Sequence, residues 1–338
     1  MAQNESVLTQ STCSISEDQS ECDTVITIRI VFASFSLIAC LFMIVVIWLF
    51  RKFVVFAQRL ILYLSIGAFC DSIAYLMSSS IEDGPLCDFQ AWWLTYFDWT
   101  VLLWVSCLTF NLYMNVIQTR TTEQWEKGYH AVCWGVPLIM STLPFIGDHY
   151  GPAGVWCWIT EDIAWRLGIW YVPLFIIIGL LFFAYIYIFC MLRRRASSWE
   201  GTYDPDTERN HRMLKEDIKP LQFYPFVYLI VSVFPLINRI NSAVNPGHDK
   251  LWMVVAASIS APLHGVLNAI VFGMDKETMQ RLTPSQIKLA IAYKLSPHTP
   301  VREYPQPEAP QDRQTLGNAD ILEQESDRQQ ATGYQESW

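Results

Sequence analysis

Charge is what this sequence has least of. Only 16% of its 338 residues are charged, against 52% that are hydrophobic and 14% that are aromatic. From Ile30 to Phe50 there is no charge, and from Leu60 to Ile81 there is none but Asp71. A soluble domain could not cover so much apolar surface, whereas a bilayer core of ~30 Å requires about 20 apolar helical residues. Residues 1–28 lack lysine and arginine altogether, and without a basic start followed by an apolar core they do not read as a cleavable signal peptide. Lysine is also missing from residues 251–273. That excludes a retinal pump or sensor, which needs a Schiff-base lysine in its last helix. Of six histidines only His264 falls well inside an apolar run, too few ligands for an intramembrane metalloenzyme.

Further apolar runs follow the first two. They cover Phe89–Thr119, broken only by Asp98, then Ala131–Gly147, Leu167–Leu192, Pro220–Asn238 and Leu251–Met274. Seven runs predict an all-α membrane protein, a seven-transmembrane helix bundle over residues 27–274. Residues 1–26 would form a polar outer arm, 275–295 a juxtamembrane amphipathic helix and 296–338, rich in Gln, Glu and Pro, a disordered tail.

Orientation follows from lysine and arginine at the span ends. Arg51, Lys52 and Arg59 lie in the first link, and Arg120 and Lys127 in the third. The fifth carries Arg193, Arg194, Arg195, Arg209, Arg212, Lys215 and Lys219, while the alternate links are poor in base. The asymmetry predicts an N-terminus outside and a C-terminus inside. Asn4-Glu5-Ser6 then offers a glycosylation sequon on the outer side, and Arg194-Arg195-Ala196-Ser197 a basophilic kinase site, at Ser197, on the inner.

Nine cysteines divide by depth. Cys40, Cys70, Cys107 and Cys133 lie within spans, and Cys190 at the inner end of the fifth. Cys13, Cys22, Cys87 and Cys157 fall on the outer, oxidising side. A Cys87–Cys157 bond would tie the loop GVWCWIT (154–160) to the top of the third span as a stapled cover. Trp156 and Trp158 would flank the staple, and Cys13–Cys22 would be the remaining pair. Sequence alone leaves the connectivity open.

Buried ionisable groups in a membrane usually face the bundle interior. Thr95, Asp98, Ser106, Thr109 and Tyr113 fall along one face of the third run, and Ser260, His264 and Asn268 share a face of the seventh. Asp71 is near mid-membrane. For Asp71 and Asp98 a functional role is favoured, whereas Ser106, Thr109 and Asn268 read as interhelical hydrogen bonds that hold the bundle.

Specific stretches narrow the class. CWGVPL (133–138), WCWI (156–159), NRI (238–240) and HG (264–265) occur in the order and spans expected of cyclic-AMP-receptor-like G protein-coupled receptors, which the sequence resembles over about residues 30–280. WGVP and the outer-loop CW also resemble secretin-like receptors. The third run ends LYMNVIQTR (112–120), without the Asp-Arg-Tyr of rhodopsin-like receptors. The resemblance implies a plasma-membrane receptor for a small extracellular ligand that activates a heterotrimeric G protein. Thr95, Asp98, Trp158, Arg239 and His264 are the candidate ligand residues. Arg120, Lys127, Arg193, Arg194, Arg195, Lys215 and Lys219 are the candidate inner contacts. Besides ligand and G protein the expected partner is the bilayer; no enzyme activity, cofactor, metal or nucleic acid is expected. The outer segments hold about a dozen carboxylates against four bases, Arg29, Arg166, Arg239 and Lys250, an unwelcoming field for an anion. Arg239 is the expected phosphate partner. The competing reading is a seven-span transporter, against which stand the odd span number and the lack of an internal repeat.

Overall fold

The apolar runs become helical rods. The computed structural model describes residues 19–77, 83–118, 120–153, 156–160, 163–198, 223–244 and 250–295. The rods are α1 (Gln19–Leu49), α2 (Phe56–Leu76), α3 (Pro85–Ile117), α4 (Glu126–Thr142), α5 (Val172–Ser198) and α6 (Phe223–Val244). A seventh rod is broken into α7 (Leu251–Ser260) and α8 (His264–Gly273) by a 3-10 turn at Ala261–Leu263. Pro262 stands in that turn, where its missing N–H and ring interrupt regular bonding. In place of a single juxtamembrane helix over 275–295 there are two helices, α9 (Lys276–Arg281) and α10 (Pro284–Leu295). The sequence between them contains Thr283 before Pro284, and a residue before proline is steered away from helical geometry. The chain divides into a unit of residues 1–290 and a second from Ile291 onward, of which only residues 291–295, the end of α10, are described.

Four stretches among the described residues are long and apolar enough to cross a membrane: Ser20–Leu49, Phe56–Leu76, Arg166–Met191 and Leu251–Gly273. The others fall short for identifiable reasons. α3 has 33 residues, but its tryptophans, threonines and Asp98 lower its hydropathy. α4 has only 17 residues, and the apolar part of α6 is Phe226–Asn238. The outward faces nevertheless carry large apolar side chains. Phe35 and Ile38 of α1 are 58% and 65% exposed, and Leu180 and Phe183 of α5 are 65% and 70% exposed. Contiguous apolar surface on this scale mismatches water and suits lipid.

α3 is the hub. It packs against α2, α4, α5 and α6, while α1 packs against α2 and against both halves of the broken rod. Trp104, Leu102 and Leu108 of α3 are buried in one core with Leu60 and Leu64 of α2 and Met43 of α1. Side-chain bonds to backbone fix α3 on α2: Trp93 Nε1 donates to the Cys70 carbonyl at 2.7 Å and Gln90 Nε2 to that of Ala74 at 3.1 Å. Of the described glycines, Gly265 has the least room for a Cβ. A Cβ there would lie 2.6 Å from Cys40 Sγ and would also meet Ser36 Oγ and its carbonyl, so only glycine lets α8 lie on α1.

The hydroxyls of Thr95, Ser106 and Thr109 are bonded within α3. Each hydroxyl donates to a carbonyl four residues back on α3, at Ala91, Leu102 and Val105 respectively, rather than to a neighbouring helix. A hydroxyl next to its own turn satisfies itself locally before any neighbour can reach it. A hydroxyl bond that does join two helices runs from Ser72 Oγ to Ser36 Oγ at 3.0 Å, between α2 and α1.

Candidate functional site

The centre of the stretch GVWCWIT, Cys157–Ile159, is a strand. β2 (Cys157–Ile159) pairs antiparallel with β1 (Tyr150–Pro152), Tyr150 opposite Ile159 and Pro152 opposite Cys157. Gly147, at φ 96°, and Asp148, at φ 59°, turn the chain out of the fourth helix into this hairpin. Cys157 is bonded to Cys87 in the first turn of α3, with Cα atoms 5.3 Å apart. The hairpin is thereby held down on α3 at one end of the bundle. Tyr150, buried beneath it, donates its hydroxyl to the Ser141 carbonyl at 2.7 Å, and burial pushes its phenol pKa up. Cys22 is also disulfide-bonded; its expected partner Cys13 lies outside the described residues, as does Asn4.

Beneath the hairpin lies a cavity of about 120 Å³, to which every rod except α4 contributes. The hairpin supplies Trp156 and Trp158. A π-helical turn, Arg166–Tyr171, enters from a three-residue helical turn (Ile163–Trp165) and presents Trp170 and Tyr171 before α5 begins. Such turns re-aim side chains that a regular helix would carry past the site. Trp158 meets Trp170 edge-on with ring centroids 6.0 Å apart, and Trp170 meets Trp99 of α3 at 5.4 Å. Arg166 Nε donates to the Ile159 carbonyl, and its guanidinium carbon stands 5.8 Å from the Trp158 ring, locking the π-turn to the hairpin.

Polar groups enter this aromatic enclosure from four sides: Arg29 of α1, Asp98 of α3, Asn238 and Ser232 of α6, and Ser258 and His264 of the broken rod. Arg29 is fully buried, its guanidinium carbon 5.6 Å from the Trp156 ring. His264 leads from the cavity to Asp71. Its Nδ1 is 2.8 Å from the Ala261 carbonyl and its Nε2 is 3.4 Å from Asp71 Oδ2, with Asp71 wholly buried. The carbonyl can only accept, so Nδ1 carries a hydrogen. Nε2 and Oδ2 would then oppose lone pairs unless one more proton lies between them. Gly265 permits this meeting by letting α8 settle against α1 beside α2.

Of the expected ligand residues, the structure brings Asp98, Trp158 and His264 to one cavity. Thr95 is buried against its own helix and does not line it. The backbone of Arg239 lies in α6, while its side chain lies outside the described residues. Asn268 is buried on α8, away from the cavity lining. The residue that sequence reasoning passed over is Arg29, noted there only as one of four outer bases. At the other end, Arg120, Lys127 and Arg194 are exposed. The side chains of Arg193, Arg195 and Ser197, and Lys215 and Lys219 entirely, lie outside the described residues. No cluster of metal ligands occurs among the described residues.

Comparison with known proteins decides the family. The profile described as "Slime mold cyclic AMP receptor" matches residues 16–296. The chain belongs to this family. Within the slime mold cyclic AMP receptor family and its relatives, it is similar to "Cyclic AMP receptor-like protein A" of Dictyostelium discoideum, at 25% identity over 245 residues. That match covers 72% of this chain and 62% of the relative, less than two thirds of the relative's own length. It is similar to "G-protein coupled receptor 1" of Arabidopsis thaliana at 25% identity, over 80% of this chain and 82% of the relative. "G-protein coupled receptor 157" of Homo sapiens is 23% identical over 64% of this chain and 70% of its own. Family membership and the apolar helices together make this a multi-pass receptor-family protein of the plasma membrane.

Proposed function

We propose that the chain is a seven-span G protein-coupled receptor, its N-terminus outside, that binds a small extracellular ligand in the cavity under the hairpin. The observation that carries this reading is the cavity itself. Charged groups from α1 and α3 meet the aromatic hairpin and the π-turn there, under a cover bonded to the hub helix. A ligand touching α1, α3, α5, α6 and the broken rod at once has differential contacts with any arrangement that moves those rods. That is what a ligand needs in order to shift a conformational equilibrium. Rearrangement at the opposite end would expose the basic inner links, with Arg120, Lys127 and Arg194 among them, to a heterotrimeric G protein and to the negative inner leaflet. Cyclic AMP enters as a ligand through the names of the relatives, and Arg29 gives its phosphate a partner inside the cavity.

G protein activation in cells expressing the chain, across the Gα classes and with and without cyclic AMP, tests this reading. Activation that Cys157→Ala weakens is the expected result. Silence in every class, at full surface expression and with solute uptake restored in its place, would favour a transporter.

A further inference from the structure

Away from the cavity, two thiols meet between α3 and α4. The sulfurs of Cys107 and Cys133 are 3.4 Å apart, and both cysteines are free, Cys133 buried and Cys107 half-buried. Aromatic pairs brace the two helices around them. Trp104 of α3 stands edge-on to His130 and Trp134 of α4, with ring centroids 5.2 and 6.0 Å apart, and Phe110 stands edge-on to Tyr129 at 6.5 Å. Trp104 and Phe110 are three residues before and three after Cys107, so they flank it on one side of α3. The rings set the spacing of the helices, and within that spacing the sulfurs touch. Their separation exceeds the ~2.0 Å of a disulfide by about 1.4 Å. One buried thiol is ordinary apolar packing. A second in contact with it changes the chemistry, because a neighbouring thiol converts the first oxidation product of cysteine into a disulfide. Beside Cys133, Val132 and Val136 are exposed apolar side chains, so the approach to the pair is through hydrocarbon.

We propose that Cys107 and Cys133 form a reversible oxidation site for apolar hydroperoxides, the class produced on unsaturated acyl chains. Cys107, the more exposed, attacks the peroxide, and Cys133 supplies a hydrogen bond to its sulfur as the proton is given up. The O–O bond breaks: one oxygen stays on sulfur as a sulfenic acid, and the other leaves with the proton as an alcohol. The Cys133 sulfur then displaces the hydroxyl, which takes the second proton and departs as water. Two thiols and one hydroperoxide give one disulfide, one alcohol and one water; the thiols lose two electrons and the peroxide gains them. Soluble thiols reverse the bond by exchange. On the proposed orientation this half of α3 lies toward the reducing cytosol, where the dithiol is the resting state. The oxidised chain has its hub helix bonded twice, to the hairpin through Cys87 and to α4 through Cys107.

The test exposes the full chain, in nanodiscs of saturated lipid, to cumene hydroperoxide and maps its disulfides by mass spectrometry. Peroxide is raised until the exposed Cys190 is oxidised, which shows that the reagent has reached the protein. A Cys107–Cys133 crosslink that dithiothreitol removes is the expected product, at least about tenfold more abundant than any other new disulfide, since the partner thiol is already in place. In Cys133→Ser, sulfenic acid should persist on Cys107 and be trapped by dimedone, whereas in Cys107→Ser Cys133 should stay unmodified. Oxidised Cys190 beside Cys107 and Cys133 that both remain thiols would overturn the proposal and leave the pair as packing. Dimedone on Cys133 would overturn the assigned order of attack. The crosslink is mapped on the unaltered chain, so it decides even if a variant fails to fold. No ligand or G protein enters the measurement, and its outcome is independent of the receptor reading.

Discussion

The two ends of the bundle are held by different physics. At the hairpin end the fastening is covalent: Cys87–Cys157 closes a separation of 70 residues, and stacked rings and the Arg166 bond add to it. At the opposite end it is electrostatic. Lys52, in a 3-10 turn (Lys52–Val54) after α1, is 7% exposed, and its Nζ lies 2.9 Å from Asp275 Oδ2 just before α9. Thr278 is wholly buried, accepts from the same Nζ and donates to the same carboxylate. The Lys52 Nζ also stands 5.8 Å from the Phe272 ring. Beside it Arg59 pairs with Glu123 and with Glu126, the latter at 3.2 Å, joining the first and third links. Tyr63 donates to Glu126 at 3.2 Å. A disulfide holds one geometry under all ordinary conditions, whereas ion pairs exchange partners. The molecule is thus fixed where a ligand would enter and releasable where a partner would dock.

Breaking the covalent end should have the largest effect. Cys157→Ala frees a loop of that length, for which loop-closure entropy predicts a loss of about 4 kcal/mol. It should be measured as thermal unfolding of the purified chain, with surface expression alongside. A variant as stable as the parent would mean the stacked rings suffice without the bond. Gly265→Ala comes next. The new methyl group must push α8 off α1, costing about 1–3 kcal/mol and separating His264 from Asp71. Lost stability together with an altered cavity response is the expected pair of readouts.

At the electrostatic end, Lys52→Met should cost about 1–3 kcal/mol, because it leaves the Asp275 carboxylate and the Thr278 hydroxyl short of a donor. Replacing Asp275 with leucine in the same chain should recover much of that stability without recovering control. If the ion pair is a catch, basal G protein activation rises in both variants, and unchanged basal activity in both would make it packing only. Arg59→Gln should be smallest, about 0.5 kcal/mol, since Glu123 is largely exposed and salt screens the pair. Its effect should fade as ionic strength rises, whereas that of Lys52→Met should persist.

What was legible in the sequence follows the same division. Runs without charge announce rods because a membrane leaves few other ways to arrange them. Cysteines on one side of those runs announce a staple because few pairings exist. Asp71, Asp98 and His264 stood out because ionisable groups are rare at that depth. Arg29 did not, for a definite reason. α1 is apolar on all sides, so nothing in its pattern says which way it is rotated, and an arginine ten residues into the helix could equally reach up to the water. The π-turn at Arg166–Tyr171 left no signal either, since one extra residue per turn changes no residue type. Lys52 and Asp275 lie 223 residues apart, and no local period connects them. Pro262 stands where the seventh rod breaks.

The contact at Gly265 has a consequence for how the protein is made. α1 is the first rod to leave the ribosome and α8 the last, yet they pack on each other at Gly265, where a Cβ has no room. Until the final rod is inserted, Ser36, Cys40 and Asp71 face a gap that lipid or a chaperone must fill. A chain stopped after α6 but before His264 therefore keeps its hub and its staple but has an open seam, with the Asp71 carboxylate exposed along it. Membrane quality control has a polar mark to recognise in any copy that lacks the last rod, and the mark disappears once α8 is in place.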